Sequence, residues 1–559
     1  MSSSKLTILE EPIDYARPMR VIIMGTGFSG LAAAYHLSKS TENVEFVLYE
    51  KNDQVGGTWY ENHYPGVACD VPAHAYQFTF VENTQWSKFY ADGSELHAYL
   101  RDCAAKIGLQ NKIKLEHEVI KAEWDESAGK WTVTVRDIAN NKVITDLADV
   151  VISATGALNH RRDPAIEGIE TFKGKIVHTA AWDLEPAGDA WKDRRVAVIG
   201  YGSSATQVAP ALQPYVKSID NYIRGKTWIY QPFVPVDQYP DGKTGNHVFT
   251  EEELKDFADK EKYKEFRYQL EDACNTFFPL TLDGSDFQNM ARKGLEEAMK
   301  ARLAARPDIA ENLIPDFPVS CRRLTPGIGY LEALTAPNAS FINTEIKRIT
   351  EDGIETADGT HRPYDVIVAA TGFDTSCKPR FPILGRKGMN LQDLWADYPK
   401  TYLGISQDGF PNWFQIGGPN TGIAVGPLIP MLEKQGEYVT QCIRKMQYQR
   451  IKTMAVQKKA VEAFQAYCDA YFPRTIFGKN CPSWYKNGKP DGRITGLWPG
   501  STLHHLRVLE QPRYEDYDYT YLDGSVDDRA SLLRWLGNGM TVAEVEGKPG
   551  TRAWYYPRV

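Results

Sequence analysis

The chain has 559 residues, 42% of them hydrophobic, which is enough apolar material for two or three cores rather than one. Its 64 basic and 72 acidic residues leave a formal charge of −8 with no long run of one sign, which argues against a nucleic-acid-binding surface. The first residues, Met1 to Glu11, lack the apolar core of a signal peptide, and no window holds the roughly eighteen apolar residues that span a bilayer, so a cytoplasmic protein without a membrane partner is expected.

Residues Arg20 to Met24 read as a short apolar strand, Gly25-Thr-Gly27-Phe-Ser-Gly30 as a tight turn, and Leu31 to Leu37 as the start of a helix. Val44 to Tyr49 is the next strand and ends at Glu50. In such a βαβ unit the glycines let backbone N–H groups approach a pyrophosphate at the helix N-terminus. Glu50, twenty residues after Gly30, sits where a carboxylate accepts from ribose hydroxyls.

A second unit follows the stretch Phe172-Lys-Gly174-Lys-Ile-Val-His178-Thr-Ala-Ala-Trp182-Asp183. Its strand is Arg195 to Ile199, its turn Gly200-Tyr-Gly202-Ser203-Ser204-Ala205, and its second strand Ser218 to Ile223 ends at Arg224 rather than at an acid. A guanidinium pairs bidentately with phosphate, so Arg224 suits the 2′-phosphate of NADPH; the alternative is a solvated surface arginine. Ala205 in the third glycine position is compatible, because that residue serves helix–strand packing.

Two stretches, Ala148 to Gly156 and Tyr364 to Gly372, both run as strands into Ala-Thr-Gly, each after a hairpin-like segment (Trp124 to Arg136 and Ile349 to Thr360). The expected fold is therefore α/β with two Rossmann-like dinucleotide-binding domains, the second inserted in the first, with crossings near Gly156 and Gly372. The first domain takes residues 1–160 and 385–559, the second 161–235 and 318–384. Helical spacing between Thr250 and Arg306 marks an insertion, 236–317, that walls a pocket. Eight cysteines (Cys69, Cys103, Cys274, Cys321, Cys377, Cys442, Cys468, Cys481) have neither Cys-x-x-Cys nor zinc-ligand spacing. They are expected to be reduced packing residues, with no metal and no dithiol chemistry. His504-His505 lacks a third ligand, and the Tyr514 to Tyr521 run reads as a half-exposed strand.

Three motifs, in order along nearly the whole chain, resemble those of type I Baeyer–Villiger monooxygenases, and the style of the sequence is closest to fungal members. They are Phe172-x-Gly174-x-x-x-His178-Thr-x-x-Trp182-Asp183, Gly56-Gly57-Thr58-Trp59-x-x-x-x-Tyr64-Pro65-Gly66-x-x-x-Asp70, and Arg322-Arg323-Leu-Thr-Pro-Gly-Ile-Gly-Tyr330. The resemblance implies a class B flavoprotein using FAD, NADPH and O2 to insert oxygen beside a small-molecule carbonyl through a C4a-peroxyflavin, as a monomer or small homo-oligomer. It makes Arg323 the fixed positive charge beside the peroxide and Asp70 its partner. Arg322 faces the nicotinamide nucleotide, and Trp484 donates to the NADP ribose or packs in the core. Thr58, Trp59, Asp70, Val71 and Tyr76 fall among the cofactor-binding positions. Phe172, Gly174, His178 and Trp182 fall in an interdomain linker, where His178 and Trp182 hold the domain junction, with plain packing as the alternative for His178. Ile423-Ala424-Val425, inside Gly417 to Gly426, departs from the more polar stretch expected there. Two rival functions stay open: oxygenation of nitrogen or sulfur, and a nucleotide-binding flavoprotein that has lost oxygenation.

Overall fold

The computed structural model describes residues 8–230, 245–522, 532–547 and 551–556. Residues 231–235 of the expected second domain and 236–244 of the expected insertion lie outside the described residues, as do the stretches at and near both chain ends.

Two five-stranded sheets, parallel throughout, organise the chain. The first orders its strands as Trp413–Gln415, Val150–Ser153, Met19–Met24, Val44–Tyr49 and Ile113–Lys114. The second orders Ala339–Ile342, Ser218–Tyr222, Arg195–Ile199, Val366–Ala369 and Lys175–His178. The central strands are near-continuous apolar runs because helices and loops cover both their faces: Val21, Ile22 and Ile23 are all fully buried, as are Val196, Ala197 and Val198. The helix Phe28–Ser40 packs on the long helix Ile429–Tyr448 through small residues. A methyl group at Gly436 would come within 3.3 Å of the Ala32 backbone.

The two Ala-Thr-Gly runs end equivalent strands, one in each sheet, beside their respective glycine turns. The chain leaves the first half after Gly156 and returns after Gly372 along the same path. Arg161 bridges Phe373, the Arg162 N–H donates to the Gly372 carbonyl at 2.8 Å, and the Asp374 N–H donates to the His160 carbonyl at 2.8 Å. Antiparallel additions flank the sheets: His117–Asp125, Lys130–Asp137 and Lys142–Ala148 beside the first half, and Ile346–Ile349, Gly353–Thr356 and His361–Pro363 beside the second. Tyr517–Tyr521 is a strand paired with Ile451–Val456.

Helices Glu251–Ala258, Lys260–Thr276, Asp286–Arg302 and Pro307–Leu313 form the inserted segment, started by side-chain caps at Thr250, Asp259 and Ser285. This segment bridges both halves. Arg267, buried, donates to the carbonyls of Gln77 and Phe78 at 3.3 Å each and to Glu82 at 2.9 Å, while Leu295, Met299 and Leu303 join the core of the second sheet.

Two expectations change. The His178 stretch is an edge strand of the second sheet rather than a free linker, because Lys175–His178 pairs residue by residue with Val366–Ala369. The cysteines are not all reduced: Cys321 and Cys481 form a disulfide, their Cα atoms 6.5 Å apart across 160 residues of sequence. The linear spacing carries no sign of this pair, since only the fold brings the two segments together. Cys69, Cys103, Cys274, Cys377, Cys442 and Cys468 are free.

Candidate active site

Each glycine turn hands its strand to a helix whose N-terminus no side chain caps. The caps are Gly27 for Phe28–Ser40 and Gly202 for Ser203–Leu212. Gly25, at φ +101°, has no room for a side chain, since a Cβ would meet the Ala154 carbonyl oxygen at 2.6 Å, and one at Gly30 would meet the Gly25 oxygen at 2.0 Å. Gly200, at φ +133°, is equally confined against Ala370, whereas Gly202 opens onto free space. These two cradles of uncapped N–H groups fit the pyrophosphates of two dinucleotides.

Glu50, 4% exposed, first braces its own turn. Its Oε2 accepts from the Thr26 N–H at 3.0 Å and the Thr26 hydroxyl at 2.7 Å, and its Oε1 accepts from the Asn52 N–H at 3.0 Å. Burial pushes its carboxyl pKa up, and those hydrogen bonds oppose the push. Thr58 and Trp59 begin the short helix Thr58–Glu61 directly beyond Gly57, whose backbone faces Gly27. Trp59 meets Tyr76 edge to face at 5.7 Å, and Val71 is buried beside Asp70. At the second turn Ser203 shares a hydrogen bond with Thr325 at 3.2 Å, Ser204 follows in the first turn of the helix Ser203–Leu212, and Arg224 stands exposed at the end of its strand.

Asp70 and Arg323, 253 positions apart, meet between the two cradles. Arg323 donates from Nε to Oδ2 at 2.8 Å and from Nη2 to Oδ1 at 2.7 Å, the side-on geometry that suits a fork and a carboxylate. Side-chain exposures of 23% and 21% leave the pair partly accessible rather than sealed in a core. Desolvation alone would lower the arginine pKa, but the Asp70 charge and its hydrogen bonds outweigh it and hold the guanidinium above its ordinary value. Nη1 donates to the carbonyls of Ala424 at 3.3 Å and Ile423 at 3.5 Å, so one Nη2 hydrogen of the five N–H groups has no acceptor among the described residues.

The Ile423-Ala424-Val425 departure thereby finds its physical reason. The polar contacts of this segment come from its backbone carbonyls, and its side chains face an apolar pocket with Phe278, Tyr471, Phe477 and Trp498. Phe278 and Thr281 come from the inserted segment, which therefore walls this pocket.

Arg322 points away from Asp70. Its guanidinium lies 4.5 Å over the Tyr201 ring in the second turn, and its Nη1 donates to the Lys226 carbonyl at 3.2 Å. Trp484 packs at 4.5 Å on Tyr485 and against Gly496; the disulfide fastens this segment to the residue preceding Arg322. His178 accepts from the Ala180 N–H at 3.0 Å through Nδ1, a local cap, and burial lowers its pKa. Trp182 is buried beside Trp191; Phe172 packs on the small core behind the second sheet, and a Cβ at Gly174 would strike both its ring and the Asp365 carbonyl.

Several residues of this site were not read from the sequence. The Tyr64 hydroxyl donates to Gln207 at 2.7 Å, Gln207 donates to the Ala68 carbonyl at 2.9 Å, and His63 shares a 2.7 Å hydrogen bond with the Trp182 carbonyl. These contacts dock the Asp70 loop on the second glycine helix. Tyr230 donates to the Asp70 carbonyl at 3.4 Å, and Tyr485, fully buried, feels both Arg323 and Asp70, its phenol pushed by burial up to about 12. The Tyr-Pro-Gly part of the second motif was the one available signal. His504 and His505 are packing residues: His504 accepts from the Trp498 indole at 3.0 Å, and His505 is buried against Gln435.

The chain is similar to known proteins along nearly its whole length. Residues 23–92 match the family described as NAD(P)-binding Rossmann-like domain, and residues 74–276 match L-lysine 6-monooxygenase/L-ornithine 5-monooxygenase. An FAD-binding monooxygenase of Aspergillus terreus is 39% identical over 544 residues, covering 96% of this chain and 94% of that protein. A Baeyer-Villiger monooxygenase of Pseudomonas aeruginosa is 34% identical over 501 residues, covering 89% and 90%. The crystal structure of cyclohexanone monooxygenase from Rhodococcus sp. Phi1 bound to NADP+ is 25% identical with a TM-score of 0.76, over 90% of this chain and all of that one. Similarity that runs through both cradles and the segment between them, on one shared fold, makes this chain a member of the flavoprotein monooxygenase family that contains the type I Baeyer–Villiger monooxygenases.

Proposed function

We propose that this flavin monooxygenase binds FAD and NADPH and converts a ketone to an ester or lactone, with O2 as the oxygen donor. The observation that carries this reading is the side-on Asp70–Arg323 pair, whose guanidinium also donates to the carbonyls of Ile423 and Ala424, two residues that line an apolar pocket. A flavin held at the first cradle would supply the activation of oxygen, with NADPH at the second as its reductant. Arg323 supplies a positive charge that no relevant pH removes, and its unassigned Nη2 hydrogen is a donor for negative charge that develops on the substrate oxygen. Asp70 fixes the plane of the guanidinium, and the carbonyls of Ile423 and Ala424 hold its other end. The side chains of Ile423, Val425, Phe278 and Trp498 exclude water and favour an apolar ketone.

In this reading Gly25, Gly27, Gly30, Glu50, Thr58, Trp59, Val71 and Tyr76 serve FAD. Gly200, Gly202, Ser203, Ser204, Arg224, Arg322 and Trp484 serve NADPH. The chain divides into an FAD-binding domain, an NADPH-binding domain inserted in it, and a helical insertion. The pairing of Ile383–Leu384 with Ala122–Glu123 favours a second crossing nearer Gly372 than residue 384.

Oxygenation of nitrogen is the second reading, favoured by the match of residues 74–276 to lysine and ornithine monooxygenases, a stretch that contains neither Arg323 nor the 423–425 segment. Incubating the FAD-loaded enzyme with NADPH, ¹⁸O₂ and separate panels of ketones, amines and sulfides, with product mass spectrometry, decides between them. A singly labelled ester or lactone is the expected product. Labelled heteroatom oxides without any labelled ester would overturn the proposal, and NADPH consumption yielding only hydrogen peroxide with every panel would favour a lost oxygenation.

A further inference from the structure

Beside the second glycine turn, the cationic residues Arg224 and Lys226 flank Gly225, the Tyr201 ring lies against Gly225, and the Arg322 guanidinium stacks on that ring. Tyr201, between Gly200 and Gly202, lies across Gly225, where a Cβ would come within 2.2 Å of its hydroxyl oxygen and 2.5 Å of Cζ. Glycine at 225 is therefore what lets the ring lie against the backbone there. On the ring's face sits the Arg322 guanidinium, 4.5 Å from the centroid, tied at Nη1 to the Lys226 carbonyl. Among the described residues Arg224, Lys226 and Arg322 have no ion-pair partner, whereas most charged groups elsewhere in the second half do, as in Arg195–Asp365, Arg302–Glu332 and Arg348–Glu355. A concentration of unneutralised cations at the end of a dinucleotide-binding strand is an anion site.

Arg322 has a neighbour that faces the opposite way. Arg323 is turned to Asp70, and nothing in the backbone alone forces Arg322 toward the nucleotide side. The ring supplies that direction: its negative face attracts the flat guanidinium and leaves the guanidinium edge, with its N–H groups, free to meet phosphate oxygens. We propose that Tyr201 is a positioning residue for dinucleotide choice, which stacks Arg322 so that Arg322, with Arg224, grips the 2′-phosphate of NADPH. The inference rests on the NADPH reading above and adds to it the residue that orients one of the two arginines.

The test uses the FAD-loaded full-length enzyme and measures binding of 2′,5′-ADP and 5′-AMP by calorimetry, since the two probes differ only in the 2′-phosphate. Wild type is expected to bind 2′,5′-ADP at least about a hundredfold more tightly than 5′-AMP. Tyr201→Ala should weaken 2′,5′-ADP about tenfold and leave 5′-AMP within about twofold. Tyr201→Phe, which keeps the aromatic face, should restore 2′,5′-ADP binding, and Tyr201→Leu, which fills the space without that face, should not. In an Arg322→Ala background Tyr201→Ala should have no further effect, because the ring acts through the arginine. Equal weakening of both probes would mean that Tyr201 contacts the adenosine itself, and additivity with Arg322→Ala would mean independent action; either result overturns the proposal. A Tyr201→Ala enzyme that binds 2′,5′-ADP like wild type overturns it as well. If wild type itself does not prefer 2′,5′-ADP, the NADPH reading falls and the inference falls with it. Should Tyr201→Ala fail to retain flavin, the Phe and Leu pair carries the same comparison.

Discussion

Removing the Asp70 carboxylate is the most direct perturbation of the proposed site. In Asp70→Ala the two bonds to Arg323, at 2.8 and 2.7 Å, disappear and the guanidinium keeps only its carbonyl contacts at 3.3 and 3.5 Å. Opposite charges about 4 Å apart attract by roughly 4 kcal/mol at an effective dielectric of about 20, and breaking a fully buried pair costs about 3–5 kcal/mol. Because the side chains are 23% and 21% exposed, water recovers part of that loss, and a fall in stability of about 2–3 kcal/mol is expected. The effect on turnover follows from aim rather than stability. A misdirected oxyanion donor loses about 2.7 kcal/mol or more, which is a hundredfold drop in rate. The assay is ester formed per NADPH consumed, compared among wild type, Asp70→Ala, Arg323→Ala and the double variant. The double variant should match Arg323→Ala alone, since Asp70 acts through the arginine. Ester formation by Asp70→Ala within about threefold of wild type, or additive losses in the double variant, would refute the reasoning.

Three further outcomes are expected. Arg224→Ala should raise the KM for NADPH at least about tenfold while changing that for NADH little, measured by nicotinamide oxidation with each cofactor. Gly66→Ala should separate the Asp70 loop from the second glycine helix, because Gly66 has φ +82° and a Cβ there would meet the Gln207 carbonyl at 2.6 Å; kcat is expected to fall about 10- to 100-fold with the unfolding temperature lowered only modestly. Glu271, on the helix Lys260–Thr276, has its carboxyl raised from 4.5 to about 7, first by burial and then by Glu433, against the lowering pull of Arg267. A raised folded pKa means the folded state holds the proton more tightly, so this contribution is complete below about pH 4.5 and is lost as pH rises through 7, about 3 kcal/mol in all. Urea unfolding of the FAD-loaded enzyme at pH 5.5 and pH 8 should show Glu271→Gln removing part of the alkaline loss; an unchanged pH slope would refute the assignment.

Some of the wrong readings share a cause. Linear spacing makes the cysteines reduced packing residues, yet the disulfide joins Cys321 to Cys481 across 160 residues because the fold brings the arginine loop beside the segment that leads to Trp484. The motif resemblance makes the His178 stretch a linker, yet four of its residues complete a sheet whose partner strand lies nearly two hundred positions away. Ile423-Ala424-Val425 departs from the more polar stretch expected there in its side chains alone, since the acceptors that meet Arg323 are main-chain oxygens.

What the amino-acid order determines by itself is local. Apolar runs ending in Gly-x-Gly turns, with Glu50 after one and Arg224 after the other, obey spacing rules set by the strand, the turn and the helix that follows, so both cradles were legible before any fold was known. The Asp70–Arg323 assignment came from motif likeness, and only tertiary structure brings the two side chains to 2.7 Å. The docking of Tyr64 on Gln207, the opposite facing of Arg322 and Arg323, and the Tyr201 ring over Gly225 were decided there too. The physical reason is that each depends on a close approach between segments distant in sequence, and such approaches are set by how two sheets and an inserted helical segment pack, a property no local spacing encodes.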